Sequence, residues 1–288
     1  MPSLRDIKKR ISSVKNTQKI TKAMKMVAAG KLRRAQAAIL AARPYAQKMD
    51  DVLASLARRA ESQAHPLLAI RPPKRVEVVL ITSDRGQAGA FNANVIRRAQ
   101  RFLAENSATY EKIELSTLGR KGRDFARRRQ LAMRKDYPGI FDGLTFDRAD
   151  SIAKELIAHY VDASLDQVFL LYNEFVSDLS QRVNLIQLLP IVPQQPQEGA
   201  PPATDYIYEP SEASVLDALL PRHLAMQLWR AMLESQAGEF GARMAAMDAA
   251  SKNAGKLIGS YTLEYNRARQ AYITKELMEI VSGAEALK

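Results

Sequence analysis

The sequence predicts an α/β domain carried on a long coiled coil. Its N- and C-terminal helices form an antiparallel pair, with a mainly parallel five-stranded α/β domain between them. Three observations carry this. Apolar residues recur at alternating steps of three and four over both ends of the 288-residue chain. Between the ends the pattern changes to short β-branched runs separated by helical stretches. A proline-rich segment then leads into the second long helix. The boundaries that follow are 1–62 for the first helix, 74–192 for the α/β domain, 193–209 for the proline-rich loop and 210–288 for the second helix.

In the first helix the stepping runs from Leu4 through Ile7, Ile11, Val14, Gln18, Thr21, Lys25, Ala28, Leu32, Ala35, Ile39, Ala42, Ala46, Met49, Leu53 and Leu56 to Ala60. All are apolar except Gln18, Thr21 and Lys25. Ser3 stands where an N-cap belongs. A rod of about 55 residues would be on the order of 80 Å long, far beyond the usual globular helix. Pro44 lies inside it and predicts a kink, because proline removes a backbone donor and crowds the preceding turn. The three polar seam positions leave two readings open. One is a local stutter in the coiled coil. In the other the stretch leaves its partner helix and turns a mixed surface, including Ile20, Met24 and Val27, toward another protein.

Five runs read as strands, Val76–Ile81, Ile113–Leu118, Leu131–Lys135, Val168–Leu171 and Val183–Leu188. Helical patterns at Asn94–Glu105, Lys121–Arg129 and Arg148–Tyr160 separate the earlier ones, which predicts parallel pairing. The last two strands follow each other directly, so that edge is expected to be antiparallel. The second long helix has its seam at Ala237, Phe240, Met244, Met247, Ser251, Ala254, Ile258, Tyr261, Tyr265, Ala268 and Tyr272. The stripe then shifts by one residue to Ile273, Leu277, Ile280, Ala284 and Leu287. Neither rod can bury its seam alone, and pairing them solves both problems.

Charge is unevenly placed. Residues 1–48 hold thirteen Lys or Arg against the single acid Asp6, which equals the formal net charge of +12 for the whole chain. The basic character is therefore assigned to this segment, and it implies an acidic partner. There is no cysteine, so disulfides, thiolate metal sites and cysteine nucleophiles are excluded. No run approaches the ~18 apolar residues of a membrane span, and no secretory signal is evident.

The search for catalytic chemistry ends without a constellation. Ser83-Asp-Arg-Gly-Gln-Ala-Gly-Ala-Phe-Asn92 follows the first strand and precedes a helix, where a Rossmann-like fold would place phosphate. Its G-x-x-G spacing matches neither G-x-G-x-x-G nor the P-loop, and a tight strand-to-helix turn is the simpler reading. Asp84 and Arg85 read as an ion pair capping that turn. His65, His159 and His223 have no neighbours at metal-ligand spacing. No cofactor or metal is expected on this chain.

Several of these residues also carry a resemblance. Ile11-Ser-Ser-Val-Lys-Asn-Thr-Gln-Lys-Ile-Thr-Lys-Ala-Met-Lys-Met-Val-Ala-Ala29 closely resembles the N-terminal signature of the gamma subunits of rotary F-type ATP synthases. Ala242-Arg-Met-Ala-Ala-Met247 and the stretch from Tyr265 to Ala284 resemble the C-terminal signature, and Thr82–Asn92 and Leu216–Pro221 also match. Gln87 and Ala88 stand where the family often has Leu-Cys, and the regulatory insertion of chloroplast relatives is absent.

The resemblance implies a bacterial central-stalk rotor subunit, one copy per complex, in a proton-translocating enzyme. Its expected partners are the alpha, beta and epsilon subunits and the membrane c-ring, on the cytoplasmic face of the inner membrane. ATP, ADP and Mg would bind on alpha and beta, leaving this chain non-catalytic. It further implies that Lys22, Met24, Lys25, Arg243, Arg269, Gln270, Thr274 and Glu276 contact the alpha/beta ring. Ile273, Leu277, Ile280, Ala284 and Leu287 would form the apolar tip turning in a bearing. The rival reading is a basic coiled coil that binds nucleic acid. The basic helix offers no aromatic side chain before Tyr45 for base stacking, and no nucleic acid partner is expected.

Overall fold

The computed structural model of the chain describes residues 3–57, 65–177, 180–192, 209 and 211–285. Of the predicted proline-rich loop, 193–208 lies outside the described residues. The described part of the chain forms two compact units, one from Met1–Ala28 and Arg243–Lys288, the other from Ala29–Ala242. Helices α1 (Leu4–Ala57) and α5 (Glu212–Glu285) contribute to both.

In the first unit Ser3 caps α1, its Oγ accepting from the Asp6 N–H at 3.2 Å, while the Asp6 carboxylate accepts from the Ser3 N–H at 3.3 Å and its hydroxyl at 2.7 Å. The α1 seam is the buried stripe. Ile7, Thr21 and Ala28 are buried, while Leu4, Ile11, Val14, Gln18, Met24 and Lys25 are half-buried. The polar stretch neither stutters nor leaves its partner. Gln18 Nε2 donates to the Ser251 carbonyl at 3.3 Å, and Lys25 Nζ lies 2.6 Å from Asp248 Oδ1. Thr21 satisfies its hydroxyl on the Thr17 and Gln18 carbonyls of its own helix. Polar side chains stay in register because α5 presents polar partners opposite them. The apolar Ile20, Met26 and Val27 are the ones turned out.

The same pairing explains where the seam ends. Lys25 stands opposite Asp248, and Gln18 lies beside Ser251 and Gly255. Antiparallel counting at one residue per residue then places Leu4 opposite roughly residue 269. Ile258, Tyr261, Tyr265 and Ala268 of α5 are half-buried, and every residue from Arg269 to Ala284 is exposed. The predicted seam position Tyr272 is therefore uncovered, at 57% exposure, because α1 has already ended.

In the second unit the strands are β1 (Arg75–Ile81), β2 (Lys112–Leu118), β3 (Met133–Tyr137), β4 (Gln167–Phe175) and β5 (Gln181–Leu189). They form one sheet in the order β3-β2-β1-β4-β5, parallel except for the β4–β5 edge. Strand β1 sits centrally, with every residue after Arg75 buried. The crossovers β1–α2–β2 and β2–α3–β3 step in one direction. Helices α2 (Phe91–Asn106) and α3 (Arg120–Arg128) therefore share one face, over Val76, Val78, Leu80 and Leu115. The return through α4 (Phe146–Val161) crosses the other face, where α4, α1 and α5 close a larger core around Val79, Ile81, Leu156, Tyr160, Leu170 and Leu228.

Two local departures from the sequence reading have clear causes. Strand β3 begins two residues later than predicted because the Leu131 N–H closes α3 on the Ala126 carbonyl. Helix α1 runs through Pro44 without a break. The carbonyl that loses its donor belongs to Leu40, itself 60% exposed, so water can take the vacant position. Pro221 is accommodated inside α5 in the same way, over the exposed Asp217.

Burial holds the His223 imidazole down at about 4, so it is neutral in the folded chain at pH 7. The unfolded chain protonates first, near the ordinary value of 6.5, so stability falls as pH drops from about 6.5 to about 4. We expect His223→Gln to flatten that limb by roughly 2–3 kcal/mol. Denaturant melts across the range would show it, and an unchanged slope would contradict the assignment.

Candidate partner-contact surface

In the first unit the residues expected to meet a partner fall into two groups, which the antiparallel pairing keeps apart along α5. Around Asp248 lie Lys25 and, one turn on, Lys252, with Nζ–carboxylate distances of 2.6 and 2.8 Å. The two lysines, Lys25 first, hold the Asp248 carboxyl down at about 2, so that carboxylate stays charged throughout the physiological range. Lys25 thus has a partner within the chain but remains 43% exposed. Lys22 is exposed, whereas Met24 and Arg243 are half-buried and Arg243 is engaged within the chain. Asp248 and Lys252 were legible as an i,i+4 acid–base pair yet were not picked out from the sequence.

The second group lies beyond the start of α1. Arg269, Gln270, Thr274 and Glu276 are all exposed, and the Thr274 hydroxyl returns to the Gln270 carbonyl at 2.9 Å. Ile273, Leu277 and Ile280 are 45%, 57% and 68% exposed, and Ala284 is exposed beside them, at the spacing of one helix face. Leu287 lies outside the described residues. Tyr272, Met278 and Val281 widen the stripe. An apolar helix end that no other described residue of its unit covers marks an interaction surface.

The α/β unit shows what its glycine-rich turn does. The Asp84–Arg85 ion pair predicted from the sequence does not form. Instead Asp84 Oδ1 accepts the backbone N–H groups of Arg120 (3.0 Å) and Gly139 (2.8 Å), with the Arg120 Nε at 3.8 Å, while Arg85 is exposed. Backbone donors at the start of α3 fix Asp84 more firmly than a flexible neighbouring side chain would. Asn92 reaches back to Ser83, accepting its N–H at 2.9 Å and donating to its hydroxyl at 2.8 Å.

The other first-turn donors of α3 are also taken, Lys121 N–H by the Ser83 carbonyl and Gly122 N–H by Thr82 Oγ1. Helix α5 packs against the start of α2 and the carboxyl end of β4, beside the crevice where an open α/β sheet binds nucleotides. A Cβ placed on Gly238 would stand 3.1 Å from Gln181 and 3.3 Å from Phe91. The histidines are structural where their contacts are clear. His65 Nδ1 accepts the Leu67 N–H at 3.0 Å, leaving Nε2 as the donor toward Asp217 at 3.3 Å.

Taken together, an α/β unit packed against part of α5 and a coiled coil ending in an exposed apolar stripe define a protein of the helical-stalk class. The match to the ATP synthase family model extends over residues 3–287. The ATP synthase gamma chains of an Anaeromyxobacter strain and of Geobacter metallireducens are 59% and 51% identical, each over the full length of both chains. The chain belongs to the ATP synthase gamma chain family and is thus a subunit of an enzyme complex.

Among solved structures, the central stalk/c-ring structure of Tetrahymena thermophila mitochondrial ATP synthase matches with a TM-score of 0.60 at 25% identity. It covers 81% of this chain and 99% of the other. The rotor of the Euglena gracilis mitochondrial enzyme matches in fold with a TM-score of 0.65 at 21% identity, covering 94% and 98%. Among the described residues no helix is long and apolar enough to cross a membrane.

Proposed function

We propose that this chain is the central shaft of a bacterial, proton-translocating rotary ATP synthase, one copy turning inside a ring of three alpha and three beta subunits. The single observation that carries the reading is the α5 stripe of Ile273, Leu277, Ile280 and Ala284, exposed along a helix that has outrun α1. Such a stripe marks a surface for another protein to enclose, and an apolar sleeve without directional bonds lets a helix turn. Arg269, Gln270, Thr274 and Glu276 flank the stripe and would meet the ring loops.

Lys22, Met24 and Lys25 would face the moving part of beta, together with Arg243. The positive charge of Lys22, Lys25 and Arg243 favours acidic loops without locking them. ATP, ADP and Mg would bind on alpha and beta, and this chain would hold no cofactor. The α/β unit would stand with epsilon and the c-ring, on the cytoplasmic face of the inner membrane. The shaft couples rotation to nucleotide affinity by making different contacts with each state of beta.

The test is co-expression with the matching alpha and beta subunits, followed by native mass and Mg-dependent ATPase assay. A complex with one copy per three alpha–beta pairs, whose activity needs the chain, is the expected result. A chain that stays apart from the ring would overturn the reading. Reconstituted with the membrane sector, Met24→Lys is expected to lower the ratio of proton pumping to hydrolysis severalfold while assembly survives. An unchanged ratio would remove Met24 from the contact.

A further inference from the structure

The net charge of the α/β region hides a second basic surface. Helices α2 and α3 lie side by side on one face of the sheet; they and the residue that caps α3 carry the exposed Arg97, Arg101, Arg128 and Arg129 and the half-buried Lys121. Among the described residues none of these five has a carboxylate within 4.0 Å. The acids nearby are already taken. Glu105 pairs with Arg98 at 3.4 Å, Asp124 with Arg123 at 3.2 Å, and Asp136 with Arg127 at 3.6 Å and Arg123 at 3.9 Å. The acids that balance the region overall sit mainly elsewhere, so this face keeps a local positive field.

What the face lacks is equally informative. Phe91, Phe102 and Phe125 are all turned inward and buried, so no ring is available on which a nucleobase could stack. Ile96 and Leu103 pack against the core, and none of the large exposed hydrophobic side chains lies on α2 or α3. A stable protein–protein interface needs desolvated apolar or aromatic anchors at its centre, and this face offers none. A charged, anchor-free face suits a partner whose attraction is additive and needs no fixed geometry. An anionic bilayer is such a partner, because mobile headgroups rearrange under a rigid cluster of guanidinium groups.

We propose that the outer face of α2 and α3 is an electrostatic membrane-contact surface that takes the phosphate groups of anionic lipids. The choice of lipid as the polyanion rests on the proposed place of the α/β unit beside the c-ring. The contact acts over about a Debye length and is salt-sensitive, so it can steady a turning stalk at the bilayer without arresting it.

Co-sedimentation of the full chain with vesicles of phosphatidylglycerol and phosphatidylcholine, against phosphatidylcholine alone, tests this. Two triple variants are compared, Arg101→Gln/Arg128→Gln/Arg129→Gln on the face and Lys8→Gln/Lys9→Gln/Arg10→Gln on α1. Each basic residue near an anionic surface contributes about fivefold in binding, so the first triple is expected to weaken anionic-vesicle binding on the order of hundredfold. Raising the salt is expected to erase the difference.

The same pair of triples is then read in the assembled alpha–beta complex, where the proposed function encloses the N-terminal part of α1. There the α1 triple is expected to have no effect. Vesicle binding indifferent to the first triple in both preparations would overturn the proposal. So would tighter binding to duplex DNA than to anionic vesicles at matched salt. A chain that fails to assemble refutes the shaft reading instead, and the free-chain comparison still decides the lipid contact.

Discussion

Replacing Gly119 by alanine is expected to destabilise the α/β unit by about 4 kcal/mol, among the largest losses a single methyl can cause here. Gly119 has φ 100° and ψ 148°, a conformation that residues with a Cβ avoid. The added Cβ would lie 2.2 Å from the Thr82 carbonyl oxygen and 2.9 Å from its carbon. These are backbone atoms of β1's continuation, which cannot swing aside as a side chain can. The position is also a junction, because the Gly119 N–H bonds to the Tyr137 carbonyl and Thr82 N–H bonds to Leu118. The carboxyl ends of β1, β2 and β3 would therefore be pushed apart together. A fall in Tm of roughly 10 °C follows for a unit of this size. Gly89→Ala is the control. It has φ 54° but nothing within 4 Å of an added Cβ, so backbone strain of about 1 kcal/mol is the whole cost. Equal losses at the two sites would refute the steric argument.

Arg134→Met is expected to cost about 3–5 kcal/mol, for an electrostatic reason. Glu77 lies in the central strand with no exposed surface, held by two hydrogen bonds from Arg134 at 2.7 and 2.8 Å. Removing the guanidinium leaves a carboxylate in the core with no counter-charge and unmatched acceptors. The arginine itself has less at stake, since it also approaches Glu155 at 4.0 Å and is 14% exposed. The double variant Glu77→Gln/Arg134→Met is expected to recover most of the loss, because a buried amide is far cheaper than a buried ion. Denaturant titration of the single and double variants measures the coupling. A single-variant loss below about 1 kcal/mol would mean that water reaches Glu77.

These two positions show how unevenly the fold was legible. All five strands, the antiparallel last edge and the three connecting helices followed from apolar periodicity, because burial on a sheet imposes a period of two and on a helix 3.6. The heptad seam of α1 coincides with its buried stripe in the described residues, down to Gln18, Thr21 and Lys25. Yet Glu77, inside the apolar run of β1, was not picked out from the sequence at all. Its partner comes from β3, an edge strand two places away in the sheet and far along the chain. Asp84 was paired with its neighbour Arg85 because adjacency is all that a sequence displays. The structure gives it instead to Arg120 and Gly139, brought in by parallel strand pairing.

The contact surfaces divide the same way. The apolar residues of the α5 tip could be picked out by spacing and by resemblance, but whether they were core or surface could not. A stripe of Ile273, Leu277 and Ile280 reads alike in both cases. Only the antiparallel register, set by Lys25 against Asp248 and Gln18 beside Ser251, decides that α1 runs out near residue 269. Charge behaves similarly. The count located the excess in residues 1–48, and it was right as a sum. A sum carries no direction, and the basic face of α2 and α3 emerges only when crossover handedness puts both helices on one side.

The amino-acid sequence by itself determined the elements, their order and the family to which the chain belongs, since these depend on local periodicity and contiguous motifs. Tertiary structure alone decided which polar residues are paired, which apolar ones are left exposed, and that α5 packs against the start of α2 and the end of β4. Each of those depends on distances between residues remote in the chain, which no local pattern encodes.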